Sequence, residues 1–173
     1  SPFIFHYIRY LFNFGFNEKH VKKLLSPNEN DMILDVGCGI GYYSNIVELA
    51  NYLGVDYNNR YIEFAKARYA NNKKHFITSD FLTQSLPAYK IKPNKCLLIG
   101  ILHHLNDTEI NQLLDKLKLM NFEFIIIQEP FYSSWHLINN VICSLDRGNY
   151  VRSISAYKNI IENHYEICSS KIM

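Results

Sequence analysis

Apolar positions along this chain form short continuous runs separated by stretches of helical period. Met32–Val36, Asn51–Asp56, His75–Asp80, Lys95–Gly100 and Phe122–Gln128 each hold such a run and read as strands. Between them, Tyr42–Ala50 places Tyr43, Ile46, Val47 and Ala50 on one helical face, and Asn59–Tyr69 is amphipathic. A further helix opens at Asp107, capped by Asp107 or Asn106, with Ile110, Leu113, Leu114 and Leu117 along its face. Continuous apolar runs mark strands covered on both sides, and their alternation with helices marks parallel pairing. The pattern predicts an α/β fold: a doubly wound, mostly parallel sheet with helices on both faces.

The flanks are less regular. Residues 3–25 read as two short helices broken at Asn13–Phe16, an amino-terminal helical hairpin that either packs on the domain edge or covers a ligand. Membrane-surface binding by this hairpin is the weaker option, because its polar face carries little positive charge. Pro87 and Pro93 break the stretch after Phe81 into a loop or turn. Beyond Pro130, Trp135–Leu145 and Ser155–Asn163 read as helices, Asp146–Arg152 as a polar loop and Tyr165–Ile172 as a last strand.

With 173 residues the chain suits one domain with a sizeable core. A hydrophobic fraction of 48% against 20% charged residues excludes a disordered chain. Net charge is +2 without a long basic run, which argues against a dedicated nucleic-acid binder. Cys38, Cys96, Cys143 and Cys168 form no Cys-x-x-Cys pair, so zinc spacing is absent and no metal is expected. No run approaches the length of a transmembrane helix, and the first residues lack a signal-peptide pattern. The expected location is cytoplasmic; oligomeric state is not readable.

The chemistry concentrates around Asp35-Val36-Gly37-Cys38-Gly39-Ile40-Gly41. These glycines sit where a strand turns into the next element, and without Cβ atoms they let backbone approach a ligand. A dinucleotide site would want Gly or Ala where Tyr42 stands. A carboxylate at Asp35 would repel a pyrophosphate but welcome an ammonium or sulfonium group. Those features favour S-adenosylmethionine over NAD.

Asp35-x-Gly37-x-Gly39-x-Gly41 resembles motif I of the class I S-adenosylmethionine-dependent methyltransferases, small-molecule type. The resemblance covers about Asp31 to Pro130 and implies a Rossmann-like sheet, methyl transfer to a small-molecule acceptor, and S-adenosylhomocysteine as product. It places Asp35, Gly37, Cys38, Gly39 and Gly41 at the cofactor. Asp56 would accept from the ribose hydroxyls and Tyr57 would stack on the adenine. Ser79, Asp80 and Phe81 resemble the segment that reads the adenine edge, although Asp80 could equally be a helix cap. Gly100 and Ile101 would flank the methionine part. His103 and His104 face the acceptor in the resembled family, as a base or as packing residues. Glu129 closes the last of these strand ends, where open parallel sheets bind ligands.

Domain organisation follows: one domain over 1–173, with a helical lid at 1–27, the cofactor core at 31–130 and a substrate-side cap plus last strand at 131–173. The resembled family closes its sheet with a sixth and an antiparallel seventh strand, and the residues after Pro130 are too few for both. Arg147, Tyr150 and Arg152 in the polar loop suit an anionic acceptor, since guanidinium binds carboxylate or phosphate in bidentate fashion. Alternatively the arginines pair with surface acids or cap the turn. Two other functions stay open: a non-catalytic S-adenosylmethionine-binding partner subunit, and an NAD-type oxidoreductase.

Overall fold

The computed structural model describes residues 14–86, 92–131 and 149–170. Its elements are α1 (Phe14–Leu25), β1 (Met32–Val36), β2 (Asn51–Asp56), α2 (Asn59–Tyr69), β3 (Lys74–Thr78), β4 (Lys95–Ile99), α3 (Asp107–Lys118), β5 (Phe124–Gln128) and α4 (Ile154–Glu162). The strands form one five-stranded sheet in the order β3-β2-β1-β4-β5. Pairing is parallel for β1 with β2, β1 with β4 and β2 with β3, with Asp35 beside both Gly54 and Leu97. The strand order reverses between β1 and β4, which is where a ligand crevice forms in such sheets. This is the α/β, Rossmann-like architecture the sequence pattern predicts.

The chain divides into two compact units, Ser1–Ile99 with Phe122–Ile127, and Gly100–Asn121 with Gln128–Met173. In the first, every residue of β1 and β4 is buried, as strands covered on both faces require. One face gathers Ile33, Tyr52, Phe76, Leu97 and Ile99 with Val21 and Leu25 of α1 and Ile62 and Ala65 of α2. Below the strands' amino ends lies a buried ion pair. Lys95 Nζ donates to Asp31 Oδ2 at 2.7 Å and to the Leu25 carbonyl at 3.2 Å, while Asn94 Nδ2 donates to Asp31 Oδ1 at 2.8 Å. Burial alone would raise the Asp31 carboxyl, but the Lys95 and Asn94 bonds and the Asn28 N–H outweigh it and hold it below the usual value.

In the second unit α3 starts with a reciprocal cap. Asn106 Oδ1 accepts from the Glu109 N–H at 3.0 Å and Glu109 Oε2 from the Asn106 N–H at 2.8 Å, so Asn106 rather than Asp107 is the cap.

Three sequence expectations change. The predicted break at Asn13–Phe16 is helical from Phe14 onward, because one glycine costs only about 1 kcal/mol in a helix and the burial of Val21 and Leu25 offsets it. The first half of that hairpin and the Trp135–Leu145 helix lie outside the described residues. The Tyr42–Ala50 helix is instead a 3-10 turn over Tyr42–Ile46. Both the hydroxyl and the N–H of Ser44 bond to the Gly41 carbonyl, which tightens the turn, and Val47 then leaves helical geometry at φ −110°. Tyr165–Ser170 forms no strand: no ladder partner reaches it among the described residues, and the Tyr165 hydroxyl instead donates to the Leu114 carbonyl.

Candidate functional site

The turn after β1 belongs to the first unit. Gly37, Gly39 and Gly41 all adopt left-handed backbone, with φ of 73°, 55° and 76°. The last two have different reasons. A Cβ at Gly41 would stand 2.6 Å from Phe76 Cε1 and 2.9 Å from Ala65 Cβ, so this position is dictated by core packing. A Cβ at Gly39 would meet nothing within 4 Å. Gly39 alone of the two borders open space, where a ligand can come against bare backbone.

The end of β2 ties this turn down. The Gly37 and Cys38 N–H groups donate to the Val55 carbonyl at 2.8 and 3.0 Å, and the Gly39 N–H to Asp56 Oδ2 at 2.9 Å. Asp56 Oδ1 accepts from the Asn58 N–H at 2.8 Å. Tyr57 directly after it is 79% exposed, an aromatic face open to stacking. Burial, then the charges of Asp35 and Asp56, push the Cys38 thiol well above its usual range, which makes it an inert wall of the turn.

Asp35 lies within the buried run of β1. It is 1% exposed, and the Tyr52 hydroxyl donates to its Oδ2 at 2.5 Å. The carboxylate braces β1 against β2 beneath the turn. Tyr52 was not singled out from the sequence. Parallel register was the missing signal: Gly54 sits beside Asp35, and Tyr52, two residues earlier on the same face, reaches Asp35 diagonally across the strand pairing.

After β3, Ser79 is buried and its hydroxyl donates to Gln84 Oε1 at 2.8 Å. Asp80 accepts from the Leu82 N–H at 3.0 Å and the Thr83 hydroxyl at 2.9 Å, bonds that shape the following turn. Phe81 is 5% exposed.

The second unit holds the histidines. Gly100, at φ 68°, follows β4 and donates to the Gln128 carbonyl at 2.8 Å. A short 3-10 turn, Leu102–His104, comes next. Its N–H groups converge on Glu129: Oε1 accepts from Ile101 and Leu102 at 2.8 and 2.7 Å, and Oε2 from His103 at 3.2 Å. The same Oε2 lies 2.6 Å from His103 Nδ1. His103 is 3% exposed, whereas His104 is exposed and its ring stacks on His103 with centroids 4.1 Å apart.

Arg152 grips the other edge of this turn. Its Nη1 donates to the carbonyls of Leu102 and Tyr150, its Nη2 to the Leu105 carbonyl and Asp107 Oδ1, and its Nε to Asp107 Oδ1. All five guanidinium N–H groups are thereby engaged, leaving none for the anionic acceptor that the sequence suggested; the turn-capping alternative describes it. Tyr150 is 42% exposed and its N–H donates to the His103 carbonyl at 3.0 Å. Arg147 lies outside the described residues. Glu129 was noted in the sequence only as a strand-end acid, and nothing in composition or spacing shows that it collects these donors.

Among the described residues no group of three His, Cys, Asp or Glu is placed to hold a metal ion, and no helix is long and apolar enough to cross a membrane.

Residues 33–120 match the methyltransferase domain family. No curated protein matches the chain. Among solved structures, human N-acetylserotonin methyltransferase in complex with SAM aligns with a TM-score of 0.69 at 16% identity, over 87% of this chain and 46% of that one. Magnesium protoporphyrin IX methyltransferase from Synechocystis with bound SAH aligns at 0.66 and 17% identity, over 86% and 71%. The MccD protein aligns at 0.68 and 18% identity, over 89% and 72%. The chain thus spans about half the length of the human enzyme. These likenesses establish a shared fold.

Proposed function

The chain belongs to the methyltransferase domain family, and from that premise we propose that it transfers a methyl group from S-adenosylmethionine to a small-molecule acceptor. The observation that carries the cofactor assignment is the pairing of Gly39 with Asp56. An open left-handed glycine is held by its N–H to a charged carboxylate at the end of β2. Two ribose hydroxyls suit such a strand-end acceptor, and hydrogen bonds to a charged group contribute about 1.5–3 kcal/mol each. Tyr57 supplies a stacking face for the adenine, with Ser79, Asp80 and Phe81 reading its edge. Tyr42 stands where a dinucleotide turn wants Gly or Ala, which weighs against NAD.

Methyl transfer from a sulfonium is an in-line displacement with a good leaving group. Orientation alone supplies up to about 7–11 kcal/mol in favourable cases. A base is required only when the acceptor must lose a proton, and it adds about 10²–10⁴-fold. We assign that role to His104, the exposed member of the pair, whose residue type titrates near neutrality. His103 is its buried support.

Thermal shift with S-adenosylhomocysteine against NAD tests the assignment, since a ligand at 100 times its Kd stabilises by about 2.7 kcal/mol. Stabilisation by the former alone supports it; stabilisation by NAD alone refutes it. A panel of hydroxyl, amine and carboxylate acceptors with methyl-labelled cofactor then separates an enzyme from a binding subunit, which would hold the cofactor without turnover on any acceptor.

A further inference from the structure

Asp107, Asn111 and Asp115 stand four residues apart on α3, so they form one row along the helix. The chain leaving α4 comes against that row. The N–H groups of His164 and Tyr165 both donate to the Ile161 carbonyl at 2.9 Å, which ends α4 and turns the chain. His164 then meets α3 with both ring nitrogens: Nδ1 lies 3.0 Å from Asp115 Oδ1 and Nε2 lies 2.7 Å from Asn111 Oδ1. The Tyr165 hydroxyl adds a tie to the Leu114 carbonyl at 3.3 Å.

The partners fix the polarity of these contacts. An ionised Asp115 can only accept. An amide could turn either end to the ring, but Asn111 Nδ2 donates to the Asp107 carbonyl at 2.8 Å, which leaves Oδ1 for His164. Both ring nitrogens therefore face acceptors. A neutral imidazole has one N–H and satisfies only one of them; at the other nitrogen a lone pair would face a lone pair. The arrangement is complete only for the imidazolium, and with the His164 side chain 10% exposed there is little room for water to stand in.

We propose that His164 is a pH-sensitive clasp: its protonated ring fastens the chain leaving α4 to α3, and loss of one ring proton unfastens it. Histidine as a residue type changes charge between about pH 5 and 8. The fastened form binds the extra proton, so the clasp is strongest at the acid end of that range and weakens as pH rises. Of the other charged groups on α3, Asp107 is paired with Arg152, and Lys118 lies three residues beyond Asp115. On α4, Tyr157 shares the face of His164 and its phenol is pushed up to about 12, while Lys158 and Glu162 lie off that face. Glu166 is exposed in the following segment. His164 is the one histidine of α3, α4 and the residues after them, so the change of charge in this range falls on its ring.

The test is amide exchange on the full chain at about pH 5.5 and pH 8, each rate divided by its intrinsic value, with the His164 ring followed by nitrogen-15 spectroscopy. Protection of the Tyr165 amide should fall about three- to tenfold between the two, as loss of one hydrogen bond implies, and should follow the same curve as the ring. In His164→Gln protection should be low and the same at both pH values. In Asn111→Ala a ring protonated at Nδ1 alone meets its remaining acceptor, so the pH dependence should shrink. Protection that does not change with pH in the unaltered chain overturns the proposal whether or not the variants fold. So does a ring that loses its proton without loss of protection, or a pH dependence that persists at full size in either variant.

Discussion

Gly39 and Gly41 have nearly the same backbone but different neighbours, so alanine at each separates conformational strain from steric clash. At both positions φ lies in the left-handed region, where a Cβ costs about 1–2 kcal/mol. At Gly39 that is the whole penalty, because the added carbon meets nothing within 4 Å. At Gly41 it also enters a packed core at 2.6 Å from the Phe76 ring and 2.9 Å from Ala65. Neither neighbour can yield cheaply: Phe76 is 4% exposed and packs on Tyr52 at 5.5 Å, and Ala65 is fixed on α2. Overpacking of this kind costs about 1–3 kcal/mol. Gly41→Ala should therefore lose about 2–5 kcal/mol and Gly39→Ala about 1–2 kcal/mol, out of the roughly 5–15 kcal/mol typical of a domain. Urea unfolding followed by circular dichroism, with unchanged m-values, measures both. S-adenosylhomocysteine affinity should move the other way, falling at least tenfold in Gly39→Ala and little in folded Gly41→Ala. Equal destabilisation, or a larger loss at Gly39, would refute the division of roles.

Other perturbations test separate parts of the structure. Lys95→Met leaves Asp31 buried without its cation and should cost about 3–5 kcal/mol, whereas Asp31→Asn with Lys95→Met should cost less; urea midpoints compare them. The folded Asp31 carboxyl sits below its unfolded value of 3.8, so its stabilisation is fully present above that value and is lost as pH falls through the lower folded one; acid unfolding should flatten over that window in Asp31→Asn. Tyr157 is pushed up to about 12 by burial and then by the Glu129 charge, so its contribution is intact below pH 10 and drains as pH rises from 10 towards 12; Tyr157→Phe should unfold less steeply there, read by far-ultraviolet dichroism. Arg152→Ala frees the Leu102 and Leu105 carbonyls, and amide exchange at Tyr150, whose N–H bonds to His103, should quicken at least tenfold.

The strands and α2 were legible because burial on both faces forces continuous apolar runs; Asn51–Asp56 and Asn59–Tyr69 stand at their expected limits. Tyr42–Ala50 misled because its apolar spacing fits a helix, while burial of Tyr43, Ile46, Val47 and Ala50 is met equally well by a tight turn followed by bends. At the site, the glycines and Asp56 were recognisable because backbone conformation and strand ends carry local signals. The roles of Asp35, Glu129 and Arg152 were not, since each is set by a partner distant in sequence: Tyr52 across the strand pairing, the Ile101–His103 turn, and the carbonyls of Leu102 and Leu105. A buried carboxylate beneath a turn and one facing a ligand look alike in sequence, and only register distinguishes them.

The claim that most needs measurement is that the Gly39–Asp56 turn binds S-adenosylmethionine. Isothermal calorimetry with S-adenosylhomocysteine on the unaltered chain and on Asp56→Asn addresses it directly. One site should be seen in the unaltered chain, with affinity at least tenfold weaker in the folded variant, because losing one charge-assisted bond of about 1.5–3 kcal/mol costs that much. No binding to the unaltered chain, or equal affinity in both proteins, would contradict the account.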